Sequence, residues 1–132
     1  MRGLSPRAEE GIALNEKAIR LSPRDPFVDL FYRDLGLTYM FLDREREAVP
    51  WLENAVAMND KVWTRHAYLA SAYALVGRLD VAHKEIEVVE RLSPGQTIAK
   101  RVAAMNRFSS DETYRKQVDH VVSGLRLAGL PE

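Results

Sequence analysis

The chain has 132 residues, 46% of them apolar and 29% charged, which suits one folded domain with a modest core and excludes wholesale disorder. Nineteen Lys and Arg balance nineteen Asp and Glu, and neither half is polarised: up to His66 there are 10 basic and 11 acidic residues, beyond it 9 and 8. That balance argues against a broad nucleic-acid or anionic-membrane surface. The lack of cysteine removes disulfides, thiolate metal sites and cysteine nucleophiles, and no apolar run reaches the roughly 20 residues of a membrane helix.

The start, Met1-Arg2-Gly3-Leu4-Ser5-Pro6, lacks the apolar stretch of a signal peptide, so a cytoplasmic location is expected. The first predicted helix spans 7–21 and closes on Leu21-Ser22-Pro23, with an apolar stripe of Ile12, Leu14, Ala18 and Ile19. Asp25 and Pro26 read as the cap and first residue of a second helix over 27–42. Its Leu35, Tyr39 and Leu42 share one face, and Gly36 marks a close helix–helix approach. Asp43 makes the turn to a third helix over 46–58, whose Ala48, Leu52 and Ala55 answer that face, with Pro50 placed near the first turn.

The next two helices, 62–76 and 80–92, restate this pair at an offset of about 34 residues. Leu69-Ala70-x-x-Tyr73 falls on Leu35-Gly36-x-x-Tyr39, and Ala82, Ile86, Val89 and Leu92 fall on Ala48, Leu52, Ala55 and Met58. Gly77-Arg78 takes the turn, and Pro94-Gly95 stops the second helix. A helix over 96–107 follows, with Ile98, Val102 and Met105 on one face. Ser109-x-x-Glu112 reads as a capping box for a last helix over 111–127, in which Val118, Val122 and Leu125 repeat the spacing of Ala82, Ile86 and Val89. Gly129 and Pro131 end it.

On Tyr32, Leu35, Gly36, Tyr39, Ala48 and Leu52, then Leu69, Ala70, Tyr73, Ala82, Ile86 and Pro94, the chain resembles the tetratricopeptide repeat (TPR) family, whose pattern is W-x2-L-G-x2-Y … A-x3-F … P. His66 stands in the aromatic slot of the second unit and Asp60 in the proline slot of the first, two departures from that pattern. The resemblance implies an all-α fold: a right-handed superhelix of antiparallel helix pairs, about seven helices in one domain over 1–132. Within it, 7–23 is the second helix of a truncated repeat, 29–60 and 63–94 are repeats, and 96–128 is a degenerate capping repeat. The half-repeat at the start leaves an apolar stripe short of a partner. The expectation is therefore a fragment of a longer protein, able to self-associate through that helix.

The segments Leu92-Ser93-Pro94-Gly95-x-Thr97-Ile98 and Gly124-Leu125-Arg126-x-Ala128-Gly129-Leu130-Pro131-Glu132 are further similar to the C-terminal TPR regions behind class III adenylate/guanylate cyclase domains of soil alphaproteobacteria. That similarity implies a regulatory or docking appendage, with any catalysis belonging to an upstream domain.

Residues able to carry chemistry read as structural. His66, His83 and His120 lack H-x3-H or HExxH spacing, so no metal ligand is assigned: His66 is expected to pack, His83 and His120 to face solvent. The pairs Glu9-Glu10 and Glu85-x-Glu87 read as solvated faces, and the basic stretch Lys100-Arg101, Arg107, Arg115-Lys116 as a solvated helix end. No glycine-rich phosphate loop or serine nucleophile elbow is present, so neither an enzyme nor a cofactor is expected. Trp51 and Trp63 read as packing or rim residues.

By the family's geometry, the inner face of each repeat's first helix would be a partner-binding groove for a protein or peptide. It would be lined by Leu30, Arg33, Leu37, Met40 and Phe41 in one unit and Thr64, Ala67, Ser71, Ala74 and Leu75 in the next. The same positions serve equally as core if flanking helices cover them. Leu37 stands where chaperone-tail binders of the family need asparagine, so capture of such a tail is not expected. The function expected is protein–protein interaction, with self-association of a larger enzyme as the alternative.

Overall fold

A computed structural model describes residues 6–132, with side chains from Glu9 onward; the leader reading of Met1–Ser5 lies outside the described residues. These residues form seven helices and no strand: α1 Pro6–Leu21, α2 Val28–Phe41, α3 Glu45–Met58, α4 Trp63–Leu75, α5 Leu79–Leu92, α6 Ile98–Asn106 and α7 Glu112–Ala128. The all-α expectation holds, and the largest boundary shift is at α6, which begins at Ile98 instead of residue 96. No helix among the described residues is long and apolar enough to cross a membrane.

Neighbouring helices pack in sequence, α1 on α2, α2 on α3, α3 on α4 and α4 on α5, and α2 also touches α4. The apolar faces read from the helical period are the ones buried: Leu35 and Tyr39 on α2, Ala48, Leu52 and Ala55 on α3, Leu69 and Tyr73 on α4, Ala82 and Val89 on α5. Gly36 permits the α2–α3 approach, since a Cβ there would lie 2.5 Å from Leu52 Cγ. The most enclosed helix is α4, buried at every position from Arg65 to Ala74. Its small residues Ala67, Ala70, Ser71, Ala72 and Ala74 allow helices to close on several sides at once.

The two internal units share interactions as well as sequence. Asp43 and Gly77, 34 positions apart, both hold left-handed backbone (φ 60° and 86°). In each turn the next N–H reaches back to a tyrosine carbonyl, Arg44 to Tyr39 at 2.9 Å and Arg78 to Tyr73 at 2.8 Å. These six-residue closures satisfy carbonyls that a helix end leaves open. The same arginines lie over the same tyrosine rings, at 5.0 Å and 4.6 Å. Each tyrosine hydroxyl donates to a glutamate on the preceding helix, Tyr39 to Glu16 at 3.4 Å and Tyr73 to Glu53 at 2.6 Å.

Local details differ from expectation at three helix starts. Pro50 sits in the second turn of α3, not the first, so it withholds an N–H from the carbonyl of Arg46. Asp25 does not cap α2 directly: its carboxylate accepts from the N–H of Phe27 (2.7 Å), shaping a turn before the helix begins at Val28. The last helix is capped by Asp111, which accepts from the Tyr114 N–H at 3.2 Å, in place of the Ser109 capping box. Ser109 instead accepts from the Asp111 N–H at 3.0 Å. A carboxylate one residue before the first helical turn is the better-placed acceptor, and it meets the positive end of the helix dipole.

Candidate functional site

Of the predicted groove residues, Ser71 and Leu75 on α4 and Phe41 at the end of α2 meet α7. Met40, Ala67, Ser71 and Ala74 are buried, whereas Leu30, Arg33, Leu37, Phe41, Thr64 and Leu75 are partly exposed. The last helix packs along α4 and also touches α2, α5 and α6, and the backbone of α6 runs beside α7. Val118, Val121, Val122, Leu125 and Ala128 form the stripe that α7 buries. Along α4, α7 lies over Ser71 and against Leu75.

The α4–α7 contact is a notch. Ser71, fully buried, donates its hydroxyl to the Val121 carbonyl at 2.7 Å. Gly124 sits one turn further along α7, and a Cβ there would lie 2.7 Å from the Ser71 carbonyl oxygen and 3.0 Å from Leu75 Cδ1. Only a residue without a side chain lets the two backbones come this near. At the C-terminal end of α2, Phe41 meets the Tyr114 ring edge-on, with centroids 5.9 Å apart. Burial raises the Tyr114 hydroxyl above its usual range, and that hydroxyl donates to the Met105 carbonyl at 2.9 Å, tying α7 to α6. The N-terminal half of α2 is less covered: Arg33 retains 37% of its side-chain exposure and pairs with Asp34.

The polar residues depart most from their expected roles. His66, only 4% exposed, is a hydrogen-bonding hub: Nε2 donates to the Asp60 carbonyl at 2.7 Å, and Nδ1 lies 3.1 Å from a Glu85 carboxylate oxygen. The Glu85 hydrogen bond raises the His66 pKa above its ordinary value, outweighing the opposing effect of burial. Glu85 is therefore a structural partner and not a solvated acid. His83 is exposed, as expected. His120 is not simply solvent-facing: Nε2 lies 3.3 Å from Asp43 Oδ1 and contacts the Glu45 carboxylate. Asp43, Glu45 and His120 are a group the sequence reading missed, because 75 positions separate Glu45 from His120 and neither belongs to a ligand-spacing motif.

Two other polar contacts fix the frame beneath this face. Arg65, 3% exposed, bridges three helices by pairing with Asp29 at 2.7 Å and donating to the Ala55 carbonyl at 3.0 Å. In the basic stretch, Arg101 lies over the Trp63 ring at 5.4 Å instead of standing free in solvent. Trp51 stacks on Tyr32, 6.0 Å between centroids, in keeping with a packing role.

No protein-family model matches the chain, and no curated protein matches it either.

Proposed function

We propose that the chain is a TPR-like right-handed superhelical scaffold that binds another protein or another domain of its parent chain. The observation that carries this reading is the recurrence, 34 positions apart, of one turn conformation, one backbone closure and one arginine–tyrosine stack at Asp43/Gly77, Arg44/Arg78 and Tyr39/Tyr73. Repeats built from one contact set are a means of presenting an extended surface, and such surfaces recognise peptides and helices. The docking surface is the α2–α4 face. Its part around Leu30, Arg33 and Leu37 is reachable directly, and its part over Ala67, Ser71 and Ala74 only after α7 moves. The similarity of the Leu92–Ile98 and Gly124–Glu132 segments to cyclase-associated TPR regions supports a regulatory C-terminal piece of a larger cytoplasmic signalling protein such as a nucleotide cyclase. In this reading the chain itself is not a catalyst. In the structure those two segments meet, with the Ile98 N–H donating to the Pro131 carbonyl at 2.7 Å.

The test is a pull-down with wild type and the triple variant Arg33→Asp, Leu37→Asp, Phe41→Asp. Loss of the captured partner, with helicity retained by circular dichroism, is expected. Unchanged capture removes this face from the proposal.

A second reading, self-association, rests on a separate observation. Leu14 and Leu21, seven residues apart on one side of α1, are 67% and 72% exposed, and nearby Phe27 is 65% exposed. Among the described residues, the first helix packs on α2 alone. Exposed apolar side chains on one side of a helix favour a partner surface, here a second copy of the chain.

A further inference from the structure

We propose that Asp43, Glu45 and His120 form a binding site for a divalent transition-metal ion of the Zn2+ type, which fastens α7 to the α2–α3 turn. One potential ligand atom from each residue lies within 4.8 Å of the other two. His120 Nε2 and Asp43 Oδ1 are 3.3 Å apart. Two donors bound tetrahedrally to one Zn2+, at about 2.0–2.1 Å each, stand roughly 3.3–3.4 Å apart, a spacing the Asp43–His120 pair matches, whereas the Glu45 carboxylate touches His120 Nε2 more closely and has to draw back for the ion to enter. The donor set also discriminates. Mg2+ and Ca2+ favour oxygen shells, whereas an imidazole nitrogen beside two carboxylates suits zinc and its first-row neighbours. Two carboxylates facing one point repel each other, and a dication offsets both charges.

The ligands are neither sealed off nor loose: the His120, Asp43 and Glu45 side chains keep 26%, 33% and 15% of their exposure. A cleft of about 360 Å³, lined by Phe41, Thr113, Lys116 and Gln117 besides His120 and Asp43, opens beside them and leaves room for water at a fourth position. The ligands come from the α2–α3 turn, the first residue of α3 and the middle of α7, so the ion joins segments distant in sequence. The molecule also contains its own comparison. In the second unit, Gly77 and Leu79 occupy the places of Asp43 and Glu45, 34 positions on, and neither can ligate. Gly77 holds the left-handed turn without a Cβ, whereas Asp43 holds it with one. Donors stand at this turn in the unit that α7's histidine reaches.

Zn2+ titrated into the chelator-treated full chain, followed by calorimetry and thermal unfolding, tests the site, with Mg2+ as a control. One ion per chain and a rise in Tm with Zn2+ but not Mg2+ are expected. His120→Gln is expected to weaken binding at least tenfold and remove the rise, while His83→Gln leaves both unchanged. Asp43→Gly supplies a folded control, because Gly77 already adopts that backbone conformation; it is expected to weaken Zn2+ binding to the same extent with helicity intact. Co2+ added to wild type is expected to develop a visible d–d band that His120→Gln lacks. Absence of saturable Zn2+ binding, or equal affinity in His120→Gln, overturns the proposal. A Tm that depends on His120 without any response to Zn2+ also overturns it, leaving the cluster as a histidine–carboxylate contact held by protons.

Discussion

His66 stands between a carbonyl and a carboxylate, an arrangement that favours the imidazolium because only the charged ring donates from both nitrogens. Its folded pKa is raised, first by the Glu85 hydrogen bond. A group shifted in this sense stabilises the fold fully below its unfolded pKa of about 6.5, and the contribution is lost as pH climbs through the folded value. Urea unfolding of wild type and His66→Gln across this range is therefore expected to give curves that differ most in mild acid and converge as pH rises. A constant gap would mean that packing alone sets the role of His66. At this scale the sequence was partly legible. The packing slot of His66 followed from the repeat, but Glu85 as its partner did not, because an acid at a helical position looks solvated until the neighbouring helix is placed. Tyr39 and Tyr73 are a similar case. Their ring faces follow from periodicity, whereas the glutamates that bind their hydroxyls lie on the preceding helix; burial first, and these glutamates second, push both phenol pKa values above their usual range.

Helix ends and turns are set by nearby residues, which explains why all seven helices were readable in order. Left-handed turns at Asp43 and Gly77 and the Gly129 helix end (φ 103°) obey local steric rules. Where α7 lies is a different matter. Its stripe of Val118, Val122 and Leu125 fits equally a helix continuing a stack and a helix folded along α4, since periodicity defines a face but not its partner. The informative residue is Gly124, which a helix tolerates poorly unless backbones must meet. Replacing it by Ala sets about 1 kcal/mol of improved helix propensity against overpacking at the Ser71 carbonyl of about 1–3 kcal/mol. Gly124→Ala is expected to lower stability, with Tm falling by about 4 °C per kcal/mol of net loss, and to speed amide exchange in α7 before the rest of the chain. Unchanged stability would show that α7 does not rely on this notch.

At the scale of the molecule, Leu14, Leu21 and Phe27 stand exposed in the first helix and the link that follows it, and the last helix lies along α4. Sedimentation velocity across a hundredfold concentration range is expected to show wild type associating, and Leu14→Asp with Leu21→Asp sedimenting as a monomer at all concentrations. A wild type that stays monomeric throughout would refute self-association through α1.

The seating of α7 along α4 also changes what an affinity measured on the intact chain would mean. A helix joined to the surface it covers is a built-in competitor whose local concentration is on the order of millimolar, set by its tether and not by the cell. Were the seated arrangement favoured a hundredfold, a ligand aimed at Ser71 and Ala74 would bind about a hundredfold more weakly than to the bare surface. Whatever shifts that internal contest by about 1.4 kcal/mol would then change occupancy tenfold at low ligand concentration, without touching the ligand at all.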